Sequence, residues 1–149
     1  MVKNIYLLIL FVAISFNASA QNYLLGNSKD GIEELYIMSI TTNKAKSTIM
    51  VFDRVKPVEG RLQDFRKNAL RSVDKEKVEI PELDKLAYYR RKMQYSCAAR
   101  KYRIMECTYY DIGGKVLQKA EYDDEHTLWL PIPGGTLIEA EFQKGCNRK

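Results

Sequence analysis

Histidine and tryptophan occur once each in the 149 residues, at His126 and Trp129, and there are only four prolines and three cysteines. One histidine and no Cys-x-x-Cys pair leave no zinc site of the usual ligand spacing. The same histidine would have to serve any hydrolytic triad, no Gly-x-Ser-x-Gly elbow is present, and Cys107 with His126 is an unsupported pairing. The acidic stretch Glu121, Asp123, Asp124, Glu125 lacks the glycine-punctuated spacing of an EF-hand and reads as a solvated turn. Long apolar runs are lacking too: Ile5 to Ile14 is far short of the roughly 20 residues a bilayer core demands. No enzyme activity, catalytic residue, metal or cofactor is expected.

That apolar run follows Lys3 and precedes Ala18-Ser19-Ala20, which together make the three parts of a secretory signal, with cleavage expected after Ala20. Residues 1–20 are then a signal peptide, and residues 21–149 a single domain able to bury about two-thirds of its chain surface. No cysteine follows the run, which leaves a lipoprotein-type anchor without an attachment point. Export to the periplasm, the cell surface or the medium is expected, where disulfides persist. The mature chain carries no transmembrane segment, and nucleic acid is not an expected partner outside the cell. The formal net charge of +5, which falls by one with the loss of Lys3, favours acidic partners weakly.

Short strand-like pieces come first: Tyr23 to Leu25, Glu34 to Met38 across the turn-rich Gly26 to Gly31, and the β-branched Ser47 to Val55. In the last of these, Ile49, Val51 and Asp53 share one face, and Met50, Phe52 and Arg54 the other. After Gly60, Leu62, Phe65, Ala69 and Val73 recur at three- and four-residue steps, predicting an amphipathic helix on the domain's own sheet. Alternation returns from Leu86 to Cys97 and from Lys101 to Asp111. Gly113-Gly114 suits a type I′ turn that sets Tyr110 opposite Leu117 on a strand from Val116 to Tyr122. Trp129 to Ile132 leads into Pro133-Gly134-Gly135. Thr136 with Glu139 then forms a capping box for a helix from Leu137 to about Lys144. The expected fold class is α+β, an antiparallel sheet of five or six strands with an inserted helix and a carboxy-terminal helix.

Ile138, Phe142 and Cys146 are spaced by four, which puts the last cysteine at the end of the helix stripe facing the sheet. Three cysteines cannot all pair within one chain. A two-residue turn at Ala99-Arg100 sets Cys97 opposite Tyr102 and Tyr95 opposite Ile104, turns Cys107 to the other face, and favours Cys97 with Cys146. A three-residue turn would bring Cys107 to the same face. Cys107 is expected as a buried thiol.

Taken in order, Cys97-Ala98-Ala99-Arg100-Lys101-Tyr102-Arg103-Ile104, Tyr110-Asp111-Ile112-Gly113-Gly114-Lys115-Val116-Leu117, Trp129, Pro133-Gly134, Glu139 and Cys146 resemble the bacterial surface-adhesin protein E family. The resemblance covers about the last sixty residues well and the strands around Tyr36 and Val51 loosely. It implies an antiparallel sheet with a helix disulfide-linked across it through Cys97 and Cys146. It also implies a place at the bacterial surface and binding of host extracellular-matrix or plasma proteins such as vitronectin and laminin. The chain departs from the adhesin in lacking a lipidation cysteine, in the extra thiol at Cys107 and in the helical insert from Arg61 to Glu76.

One surface feature adds to that implication. Arg90, Arg91, Lys92, Arg100, Lys101 and Arg103 cluster in one hairpin around Tyr88, Tyr89, Tyr95 and Tyr102, suited to an acidic polysaccharide, lipid headgroups or an acidic protein patch. The expected function is an exported, non-catalytic, protein-binding module whose partners are host extracellular-matrix or other envelope proteins. The alternative is a periplasmic domain holding a small or lipidic ligand between helix and sheet, in a pocket lined by Trp129, Phe142 and Met93.

Overall fold

The computed structural model describes residues 22–76 and 80–147, with the backbone alone for 71–76. The expected signal peptide lies outside the described residues. Alternating apolar residues draw out seven strands: β1 (Tyr23–Asn27), β2 (Glu33–Asn43), β3 (Thr48–Pro57), β4 (Tyr88–Ser96), β5 (Lys101–Tyr110), β6 (Val116–Glu121) and the two-residue β7 (Leu130–Pro131). Among the described residues the α-helices are α1 (Leu62–Glu76) and α2 (Leu137–Cys146), with a 3-10 turn at Leu83–Lys85. The sheet is antiparallel, ordered β1-β2-β3-β4-β5-β6, with β7 paired to β5. This is the expected α+β architecture.

Both helices lie on one face. Leu35 and Ile37 of β2, Ile49, Val51 and Val55 of β3, and Met93 and Tyr95 of β4 pack there against Phe65 and Ala69 of α1 and Phe142 of α2. The stripe on α1 is narrower than its spacing suggests, because Leu62 and Leu70 stay exposed. Thr136 caps α2 as expected: its Oγ1 accepts from the Glu139 N–H at 3.3 Å, while the Glu139 carboxylate accepts from Gly135 N–H at 2.6 Å. Near its end α2 comes so close to β3 that a Cβ on Gly145 would overlap Ile49 Cδ1.

The disulfide joins Cys97, just after β4, to Cys146 at the end of α2, with Cα atoms 5.6 Å apart. The register behind that pairing differs from the expected one. The β4–β5 connection is a four-residue turn from Cys97 to Arg100, closed by the Ala99 N–H on Ser96 Oγ and a left-handed Arg100 at φ 53°. Tyr95 therefore faces Tyr102, and Met93 faces Ile104. A bulge then leaves Met105 without a partner on β4, which reverses the parity of β5 and sets Cys107 opposite Arg91, on the helix-covered face. Cys107 is excluded from the bridge by distance along the strand, not by facing away. It is a buried thiol outside the disulfide.

The next hairpin also departs from expectation. Only Gly114 has positive φ, at 84°, and Asp111 N–H bonds to Lys115 O, so the connection is not a type I′ turn and Tyr110 faces Val116 rather than Leu117.

Candidate functional site

Alternation along β3 and β4 gives the sheet two unlike faces. Toward the helices point Asp53, Tyr89, Arg91 and Tyr95. Asp53 and Glu141 are wholly buried there. Asp53 accepts from Arg91 Nε at 3.1 Å and Nη2 at 2.6 Å, a bidentate pair, and Arg91 Nη2 lies 4.0 Å from Glu141 Oε2. Neither Glu141 oxygen nor the Tyr95 hydroxyl has a hydrogen-bond partner among the described residues. Burial, with the Asp53 charge added, pushes the Glu141 carboxyl well above its usual range against the pull of Arg91. Burial raises Glu33 and Tyr89 as well. A cavity of about 250 Å³ lies beneath the first turn of α2, lined by Glu33, Leu35, Val55, Tyr89, Arg91 and Leu137 among others.

Among the described residues the opposite face carries no helix. Across it run Tyr36 (β2), Phe52, Arg54 and Lys56 (β3), Tyr88, Arg90 and Lys92 (β4), Arg103 and Tyr110 (β5), and Lys119 (β6). Cations lie on rings throughout. Arg54 and Lys56 sit 5.2 and 5.0 Å from the Tyr36 centroid, Arg90 5.8 and 5.2 Å from those of Tyr88 and Tyr110, and Lys92 5.8 Å from that of Phe52. Tyr88 and Tyr110 stack at 4.9 Å. The Arg103 guanidinium lies 4.6 Å from the Trp129 ring centroid, donates to Gln94 Oε1 at 2.8 Å and pairs with Asp124 at 2.6 Å.

The six basic residues singled out from the sequence are thus divided among three places. Arg90, Lys92 and Arg103 share the open face, and Lys101 has the same parity. Arg91 lies on the covered face and is consumed by Asp53. Arg100 sits in the hairpin turn with its guanidinium 5.1 Å from the Phe142 centroid, and Lys101 is exposed at the start of β5. The expected trio Trp129, Phe142 and Met93 does not come together, because Met93 and Phe142 are core residues and Trp129 follows Arg103 to the other side. Asp53, Glu141, Tyr36 and Arg54 belong to no site motif in the sequence. The period of two in β3 separates Asp53 from Arg54, but their partners on other elements require the register.

The acidic loop acts as a turn. Asp123 Oδ1 accepts from the N–H groups of Glu125 and His126 at 3.2 and 2.8 Å, and His126 is exposed.

A helix stapled by a disulfide to one face of an antiparallel sheet, with cations on rings across the other face among the described residues, defines a small α+β domain. The family model for surface-adhesin protein E matches residues 28–147, and the chain belongs to that family. Among solved structures it is similar to that of Haemophilus influenzae protein E, at 15% identity and TM-score 0.50, covering 88% of this chain and 89% of that one. That likeness supports the fold. No curated protein matches.

Proposed function

We propose that residues 21–149 form an exported, non-catalytic, adhesin-like module that presents the open face of its sheet to a macromolecule of the host extracellular matrix or of the bacterial envelope. The observation that carries this reading is the asymmetry of the sheet. One face is sealed by two helices and a disulfide, while the other displays Arg, Lys and Tyr side chains, residue types that include common anchors of interfaces. Membership of a surface-adhesin family supports the same role. Among the described residues no helix is long and apolar enough to cross a membrane.

The test is retention of the mature protein on immobilised matrix proteins and on envelope extract, beside a variant carrying Arg90→Glu and Lys92→Glu. Loss of retention in the variant supports the reading. Equal retention of both proteins overturns the assignment to this face.

A second reading rests on the cavity under Leu137, whose mixed lining of Glu33, Tyr89, Leu35 and Val55 suits a small ligand with an apolar part. Exchange protection of the α2 amides that rises on adding such a compound would favour it.

A further inference from the structure

We propose that the open sheet face binds a linear sulfated polysaccharide, laid across the strands and held by Arg54, Arg90 and Lys92. This rests on the adhesin-like reading and narrows it to a class of partner.

Arg54 and Arg90 are directly opposed on β3 and β4, and Lys92 is opposed to Phe52 two positions along. Like charges facing across strands are destabilising when nothing neutralises them. Glu106 stands opposite Lys92 on β5, yet among the described residues no carboxylate forms an ion pair within 4.0 Å of any of the three: Glu34 pairs with Lys56, and Glu106 and Glu121 with Lys119. Arg54 Nε is buried without an acceptor. The face therefore holds a surplus of fixed positive charge.

The chemistry of these cations points to oxyanions. A guanidinium can grip sulfate or carboxylate through two parallel N–H bonds. The rings of Tyr36, Tyr88 and Tyr110 hold these two in place, with Arg54 Cζ 5.2 Å from the Tyr36 centroid and Arg90 Cζ 5.8 and 5.2 Å from those of Tyr88 and Tyr110. The rings are already occupied by cations, which leaves no stacking platforms of the kind single-stranded nucleic acid uses.

Size decides between a chain and a folded partner. From Tyr36 to Lys119 the patch crosses five strands, about 20 Å at roughly 4.8 Å per strand. From Lys56 to Lys92 it extends only a few residues, so its area is on the order of 300 Å², against about 800 Å² per partner in a stable protein interface. A face also offers an extended peptide no free main-chain edge to pair with. A thin polymer with closely spaced oxyanions and hydroxyls needs only such a strip.

The experiment measures binding of the mature protein to dextran sulfate, to unsulfated dextran of equal length, to polyglutamate and to vesicles of anionic phospholipid, over a range of salt. Binding to dextran sulfate that weakens with salt, with none to dextran, is expected. Arg54→Gln with Arg90→Gln should weaken it by about tenfold or more, and Lys92→Gln alone by a smaller factor in the same direction. The charge-matched pair Lys44→Gln with Lys67→Gln, off this face, should leave it nearly unchanged. Equal loss in that control, tighter binding to polyglutamate or vesicles, or no binding to dextran sulfate overturns the proposal. If Arg90→Glu with Lys92→Glu abolishes retention on matrix protein while dextran sulfate is never bound, the adhesin-like reading stands and the polysaccharide falls. If both are indifferent to these substitutions, both readings fall.

Discussion

Asp53 and Arg91 face each other from β3 and β4 beneath α2, the carboxylate accepting from both Nε and Nη2 of a guanidinium that has little exposure. Removing one member strands the other charge in the interior. Asp53→Ala is expected to cost about 3–5 kcal/mol in urea denaturation. Replacing the pair together, as Asp53→Leu with Arg91→Met, should cost less than either single change. A double variant as unstable as Asp53→Ala would show that the pair is not a closed unit.

Glu141 sets the direction of a pH effect. Burial holds its carboxyl well above the ordinary glutamate value of 4.5, so above that pH the folded state keeps a proton that the unfolded chain has released. More protons bound to the folded state means that stability falls as pH rises from there toward the folded value. Glu33 acts in the same direction, again through burial. Glu141→Gln keeps the shape without the charge, and its stability advantage over the natural chain should grow between pH 5 and pH 8. An advantage that shrinks over that range would reverse the assignment.

The bridge closes a loop with a sequence separation of 49, which the chain-entropy model values at about 4 kcal/mol. Cys97→Ala with Cys146→Ala should lose stability of that order. Thiol titration in denaturant should count one group before reduction and three after. Three before reduction would remove the staple from the fold.

Thr136→Ala should cost about 1 kcal/mol through loss of its bond to the Glu139 N–H. Gly145→Ala drives a methyl into Ile49 and should cost about 1–3 kcal/mol. Relief of the second by Ile49→Val, which removes the terminal carbon of that side chain, would locate the clash. Denaturation midpoints read all three.

Local patterns carried most of the fold. The period of two marked β3, β4 and β5, the Thr136 and Glu139 pair marked α2, and the four-residue spacing ending at Cys146 marked the staple. Parity did not survive the step from strands to sheet. A left-handed Arg100 and the bulged Met105 shift the pairing, and neither residue is of a type that announces such a conformation. The basic hairpin suffered most from this limit. Arg90, Arg91 and Lys92 are consecutive, so the pleat alone sends the middle one inward, yet only the opposed strand shows that Asp53 receives it. Arg54, more than thirty positions earlier in the chain, could not be joined to Arg90 without the β3–β4 register.

On β3 and β4 the odd-numbered positions 53, 55, 89, 91 and 93 answer to the interior, and the even-numbered 54, 56, 90 and 92 to whatever lies outside. Exchanges at the even positions alone therefore rewrite the outward chemistry of these two strands while the contacts beneath the helices stay as they are.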